Sequence, residues 1–187
     1  GLFAAIVMTL DRKGYGIHRA RVLDGPSDTI FDTFEVSPAD TFADGRSANL
    51  EAALREALSG DLTLLRPSRR VVPRQLRHFR FAPRIEFRDE PGATRFALVA
   101  PDRPGLLADV AFVLRNQGLR VHDARIATFG ERAEDTFVLS DEHDLPLTEP
   151  ARQQLHDALL ACLDPARNAG APTCWPPSPG KRPLPPP

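Results

Sequence analysis

An α+β fold built from two tandem βαββαβ units, each an antiparallel sheet with its helices on one face, is predicted by three features of this 187-residue sequence. The first is a repeat. Sliding the chain over itself sets residues 1–22 on 105–126, so that Gly1, Leu2, Ala4, Leu10, Gly14, His18, Ala20 and Arg21 match Gly105, Leu106, Ala108, Leu114, Gly118, His122, Ala124 and Arg125. One deleted residue later, Asp32-Thr33-Phe34 matches Asp135-Thr136-Phe137. The second feature is periodicity: leucines at helical spacing alternate with short strand-like runs bounded by turn residues. The third is a 42% hydrophobic content, enough for a real core at this length.

The elements of the second copy follow in order. "TRFALVA" reads as a strand; Leu107, Val110 and Leu114 recur at helical spacing until Gly118 stops the helix. "LRVHDARIAT" is a second strand, joined through a turn at Phe129 to Glu131 to a third in "GERAEDTFVLSD". A second helix runs from about Pro150 to Leu163, with Thr148 as its candidate N-cap and Leu155, Leu159 and Leu163 in one stripe. With one closing strand this is the ferredoxin-like unit. The first copy repeats the plan: a helix over about 2–13, strands near 16–23 and 29–36, and a helix over about 48–58 that Ser47 can cap and Gly60 ends. It lacks a counterpart of "TRFALVAPDRP", so the sequence reads as a fragment of a longer protein whose first copy has lost its first strand.

Four segments result: residues 1–65, a first unit truncated at its N-terminal side; 66–92, a basic connection with one strand; 93–164, a second unit; and 165–187, a proline-rich tail. The connection carries eight arginines against one acid over residues 66–88 and has two readings, an anion-binding arm or a solvated link. Its strand, "RIEFR", with Ile85 and Phe87 inward, could close the first copy or extend the edge of the second. The tail holds nine of nineteen prolines without periodicity, and is expected to be disordered because it cannot bury enough surface to offset ordering.

Composition excludes several classes. Basic and acidic residues number 24 and 25, so overall charge makes no case for nucleic acid or an anionic membrane. No apolar run reaches the roughly 18 residues of a membrane span, and no signal peptide opens the chain. Cys162 and Cys174 have neither zinc-ligand spacing nor the density of a disulfide scaffold, so a reducing cytoplasm is the expected location. No metal site is expected.

The candidate site is the junction Asp102-Arg103-Pro104-Gly105-Leu106-Leu107. A helix N-terminus offers unpaired amides and partial positive charge to a carboxylate. Gly105 leaves that backbone uncovered, and Asp102 can accept a hydrogen bond from an ammonium group, so an amino acid fits. The same residues also make an ordinary capping turn, with Asp as N-cap and Pro near the first helical position. His18 and His122, in phase with the core side of their strands, read as hydrogen-bonded rim residues or as ligand contacts. Arg125 and Glu131 flank the strand turn, where an exposed ion pair would contribute little.

"DRPGLLADVAFVLRNQGLRVHDARIATFGERAEDTFVLSD" resembles an ACT domain, the regulatory module that commonly senses amino acids. The two copies, with "LRHFRFAPRIEFR" between them and "ARIATFGERAEDTF" as the most specific stretch, resemble the C-terminal tandem ACT region of the bifunctional uridylyltransferase and uridylyl-removing enzymes of bacterial nitrogen regulation. The resemblance covers about residues 1–164. It implies glutamine as effector at Asp102–Leu107, the PII signalling protein as partner through the parent enzyme, and Mg in that enzyme's catalytic domains. No position here matches the family's catalytic motifs, so no cofactor and no catalytic residue are assigned to this chain. Two other functions remain compatible with a βαββαβ plan: an RNA-binding module, against which the third strand lacks spaced aromatics, and an oligomerisation unit without ligand.

Overall fold

The computed structural model describes residues 1–24, 29–38, 46–61, 65–68 and 81–163. The elements run α1 (Leu2–Arg12), β1 (Tyr15–Asp24), β2 (Ile30–Pro38), α2 (Arg46–Ser59), β3 (Arg84–Glu90), β4 (Ala93–Pro101), α3 (Leu106–Asn116), β5 (Arg120–Phe129), β6 (Arg132–Ser140) and α4 (Glu149–Leu163). Every element expected from periodicity is present. The second-copy strands and both leucine-striped helices lie within two residues of their expected bounds. Leu155, Leu159 and Leu163 are buried as the stripe requires. α2 starts at Arg46, one residue before the expected cap position.

The strands form one six-stranded antiparallel sheet in the order β2-β1-β5-β6-β4-β3. The two copies are therefore joined edge to edge through β1 and β5. Ala20 faces Ile126, Arg21 faces Arg125 and Val22 faces Ala124. Since Ala20 is the repeat counterpart of Ala124 and Val22 that of Ile126, this register is symmetric about Arg21 and Arg125. A pseudo-twofold axis runs between those two arginines. Each copy's second strand also carries a register shift at the same place, between Ile17 and Arg19 and between Val121 and Asp123, so His18 and His122 are the extra residues of matching bulges.

β3 pairs along its whole length with β4, from Arg84 opposite Val99 to Glu90 opposite Ala93. It thus takes the edge beside the second copy's first strand, the place where a closing strand would lie. The sequence leaves two positions open for this strand, and the structure selects the second copy. Residues 69–80 and the tail from 165 lie outside the described residues, as do the readings made of them.

The helices cover one face. α1 packs on α2 and α3, and α3 on α4. The core beneath them is continuous across the copy boundary. Phe34, Phe3, Phe137, Phe96 and Phe87 form a chain of ring contacts with centroids 6.3, 6.0, 5.4 and 5.6 Å apart, from β2 through α1 to β6, β4 and β3. Phe137 and Phe96 are fully buried, and such pairs add about 0.5–1.5 kcal/mol each beyond their area. The outer sheet face carries the alternate residues, and among the described residues no helix lies over it. Cys162, buried in α4, is disulfide-bonded. The chain's other cysteine, Cys174, lies outside the described residues. Among the described residues no helix is long and apolar enough to cross a membrane, and no metal-binding cluster occurs.

Candidate functional site

The junction after β4 is tighter than the sequence suggested. α3 starts at Leu106, and its N-cap is Gly105 in the left-handed region at φ 80°. Pro104 therefore precedes the helix, and Asp102 stands three residues before the cap. Only glycine adopts this conformation without strain. The loop is pinned by the Asp102 amide donating to the Glu131 carbonyl at 2.8 Å and the Leu106 amide donating to the Arg103 carbonyl at 3.1 Å. Arg103 turns back to Asp109 in the first turn of α3, at 2.5 Å with both side chains largely buried. Arg103 is thus held by an intramolecular partner. Leu106 and Leu107 point into the core.

What faces this helix start comes from the other copy. A β-carbon on Gly105 would lie 3.6 Å from Oδ1 of Asp11, near the end of α1. The Asp11 carboxylate is buried, and its Oδ2 accepts from the Ser68 amide at 2.7 Å and hydroxyl at 2.5 Å. An acid of copy one therefore stands beside the α3 N-terminus, where the sequence reading put a ligand carboxylate. Arg66, two residues before Ser68, lies over the Phe112 ring at 5.5 Å, so the start of the basic connection packs on α3. His18 reaches the Ser37 hydroxyl at 2.6 Å, and His122 reaches that of Ser140 at 2.7 Å, as expected of rim histidines.

Sequence reasoning missed Asp135. It lies on the helix-facing side of β6 and is 2% exposed; its Oδ1 has no hydrogen-bond partner among the described residues. Burial first, then the nearby Asp102 carboxylate, push its pKa up to about 7, while a hydrogen bond from the Ala127 backbone pulls the other way. Asp102 itself is raised, mainly by burial, against the backbone amide of Arg103 and the charges of His18 and Arg103. Asp109 is also raised by burial despite Arg103. The junction thus concentrates Asp11, Asp102, Asp109 and Asp135, with Arg103 spent on Asp109. The signal was the repeated Asp-Thr-Phe, whose acid occupies the same place in both copies.

The pseudo-twofold axis generates a second such place at the start of α1. Here a cavity of about 240 Å³ is lined by Gly1, Phe3, Asp32, Arg115, Arg120 and His122 among others. Asp32 is the counterpart of Asp135. Arg115 is the counterpart of Asp11, so the residue from the opposite helix changes sign between the two ends of the seam. The Arg115 guanidinium donates to the Leu65 carbonyl at 3.0 Å and lies over Phe112 at 5.2 Å.

Residues 94–157 match the ACT domain family. Over 167 residues the chain is 72% identical to bifunctional uridylyltransferase/uridylyl-removing enzymes of Xanthomonas axonopodis pv. citri (strain 306) and Xanthomonas oryzae pv. oryzae (strain MAFF 311018), covering 88% of this chain and 19% of each relative. The chain carries an ACT domain. It corresponds to the C-terminal ACT region of that enzyme. A protein of the same name from Azotobacter vinelandii (strain DJ / ATCC BAA-1303) is 39% identical over 165 residues, covering 82% of this chain and 18% of the relative. The chain therefore spans about a fifth of the length of these relatives. No solved structure matches it. Within this ACT region the family match falls on β4 to α4, and the repeat and pseudo-twofold axis relate it to the unit before it.

Proposed function

We propose that this ACT region is the glutamine-sensing regulatory part of a bifunctional uridylyltransferase/uridylyl-removing enzyme acting on the PII signalling protein. The enzyme would be cytoplasmic, with Mg serving catalytic portions outside this chain. Glutamine binds at the seam between the copies, at the Asp102–Leu107 turn. The observation that carries this is Asp135: a buried carboxylate oxygen without a partner, beside Asp102, is relieved when an ammonium group arrives. The ligand's carboxylate then meets the first amides of α3, a position it must share with Asp11. Binding is thereby coupled to where α1 sits, and so to the relation between the copies. Coupling of this kind is typically worth about 1–3 kcal/mol.

The cavity at the start of α1 favours a second seat, in which Asp32 faces the ammonium and Arg115 the carboxylate of the same class of ligand. The RNA reading has less behind it. Among the described residues the open faces of the central strands carry Arg19, Arg21, Arg125, Thr136 and Val138, with the exposed Phe129 only at the end of β5 and no spaced aromatics for base stacking. Calorimetric titration with glutamine, glutamate and a short RNA tests the proposal. Saturable heat with glutamine alone supports it; heat only with RNA overturns it. Loss of binding in Asp102→Ala and not in Arg115→Ala assigns the ligand to the turn, and the reverse assigns it to the cavity.

A further inference from the structure

The sheet face opposite the helices carries a feature that neither amino-acid seat uses. At the pseudo-twofold axis Arg21 stands directly across from Arg125, and both are exposed. Like charges opposite one another on one sheet face repel. Their outer neighbours offer no relief, since Arg21 faces Thr33 on β2 and Arg125 faces Thr136 on β6. Asp123 shares the face two residues before Arg125 yet forms no ion pair with either arginine. Other arginines of this face are neutralised nearby: Arg19 by Glu35 at 3.4 Å, Arg88 by Glu86 at 3.6 Å, Arg132 by Glu134 at 2.8 Å, and Arg95 by Glu90. Among the described residues of this face, only the central pair and Arg84, on the edge strand β3, have no ion-pair partner. Across the strands the central pair is flanked by the short side chains of Thr33 and Thr136. Toward the margins lie Phe31, 59% exposed beside Leu23, and Phe129, 63% exposed.

We propose that this face docks an acidic protein surface supplied by the remainder of the same polypeptide. The inference rests on reading the chain as the regulatory part of a longer enzyme. The two arginines call for paired carboxylates, and Arg with exposed aromatic residues is the composition of protein-interface hot spots. Relatives are about five times longer than the matched region, so a large body of polypeptide is available to cover the face. Nucleic acid fits less well, because Phe31 lies on the edge strand β2 and Phe129 at the far end of β5, which leaves the middle of the central strands without an aromatic.

The test uses the intact enzyme with the photo-reactive residue p-benzoylphenylalanine replacing Arg125, and a control replacing Arg55 on the exposed side of α2. After irradiation, cross-linked peptides are mapped by mass spectrometry. The expected product is a cross-link within one polypeptide from position 125 to an Asp- or Glu-bearing segment outside the ACT region, reduced by about 10-fold when Arg21→Glu is added. Separately, Arg21→Glu with Arg125→Glu should shrink the effect of glutamine on uridylyl transfer by about 10-fold, leaving glutamine affinity within about twofold; Arg21→Lys with Arg125→Lys should retain most of the effect. Cross-links to a second polypeptide, cross-links to nucleic acid, or a yield no higher than at position 55 would overturn the docking proposal. Absence of glutamine binding to the wild-type enzyme would overturn the sensing reading, while the cross-link map would still decide the docking.

Discussion

Replacing Asp135 with Asn should make the protein more stable above neutral pH and nearly unchanged in acid. Burial, and after it the Asp102 carboxylate, push the pKa of Asp135 up to about 7 from the ordinary carboxylate value of 3.8. A folded-state value above the unfolded one means that folding favours the protonated acid. The wild type therefore keeps its full stability below the unfolded value, loses it as pH rises toward 7, and levels off above. A shift of roughly 3 units corresponds to about 4 kcal/mol across that window. Asparagine has the same shape and can still accept from the Ala127 amide, but it does not ionise. Urea denaturation of both proteins between pH 5 and 8 is the assay. The difference in unfolding free energy should widen by on the order of 2–3 kcal/mol in favour of the variant, because other titrating groups are common to both proteins and cancel. Parallel curves would refute the reasoning, since they would mean that Asp135 ionises in the fold without penalty. The same acid should respond to ligand: an ammonium group beside it lowers its pKa, so glutamine binding near pH 7 should release protons, read from calorimetry in buffers of different ionisation enthalpy.

Three further predictions follow from the packing and the seam. Asp102→Ala should weaken glutamine binding by about 10-fold, the loss of one charged hydrogen bond, with no more than a few degrees' change in melting temperature; an unchanged affinity would remove Asp102 from the ligand site. Phe137→Ala, which interrupts the ring chain at its fully buried centre, should cost about 3–5 kcal/mol in urea denaturation, and a cost under about 1 kcal/mol would mean that the two copies do not share a core. Hydrogen exchange should find β6, paired on both sides, strongly protected and β2, an edge strand with mostly exposed residues, exchanging faster; equal protection would show that something covers the β2 edge.

Much of this architecture was legible because it is local or repeated. Gly118 and Gly60 stop their helices where the leucine spacing ends, and matching residues gave the first copy from the second. What escaped depends on contacts distant in sequence. "RIEFR" has strand character by itself, but only the neighbours along its edge decide its partner. A bulge leaves no composition signal, so alternation alone gives His18 and His122 a regular phase. The candidate turn was found, but its polarity was not. Asp11 differs from Arg115 at matched positions, and a comparison that seeks identities passes over the one substitution that sets the charge of each seat. Asp135 was visible as part of a repeated Asp-Thr-Phe, yet nothing local says that its oxygen lacks a partner.

The β3–β4 hairpin bears on the order in which this protein folds. A ferredoxin-like unit closed by its last strand must bring together sequence-distant segments, with the loop-closure cost that slows folding. Here the strand that flanks β4 precedes it by two residues, Pro91 and Gly92, with Gly92 at φ 74°, and a two-residue turn closes on the microsecond scale. The second copy can therefore complete that edge early, from contacts of short sequence separation. The end of α4 at Leu163 is then released from any duty to lead the chain back into the sheet.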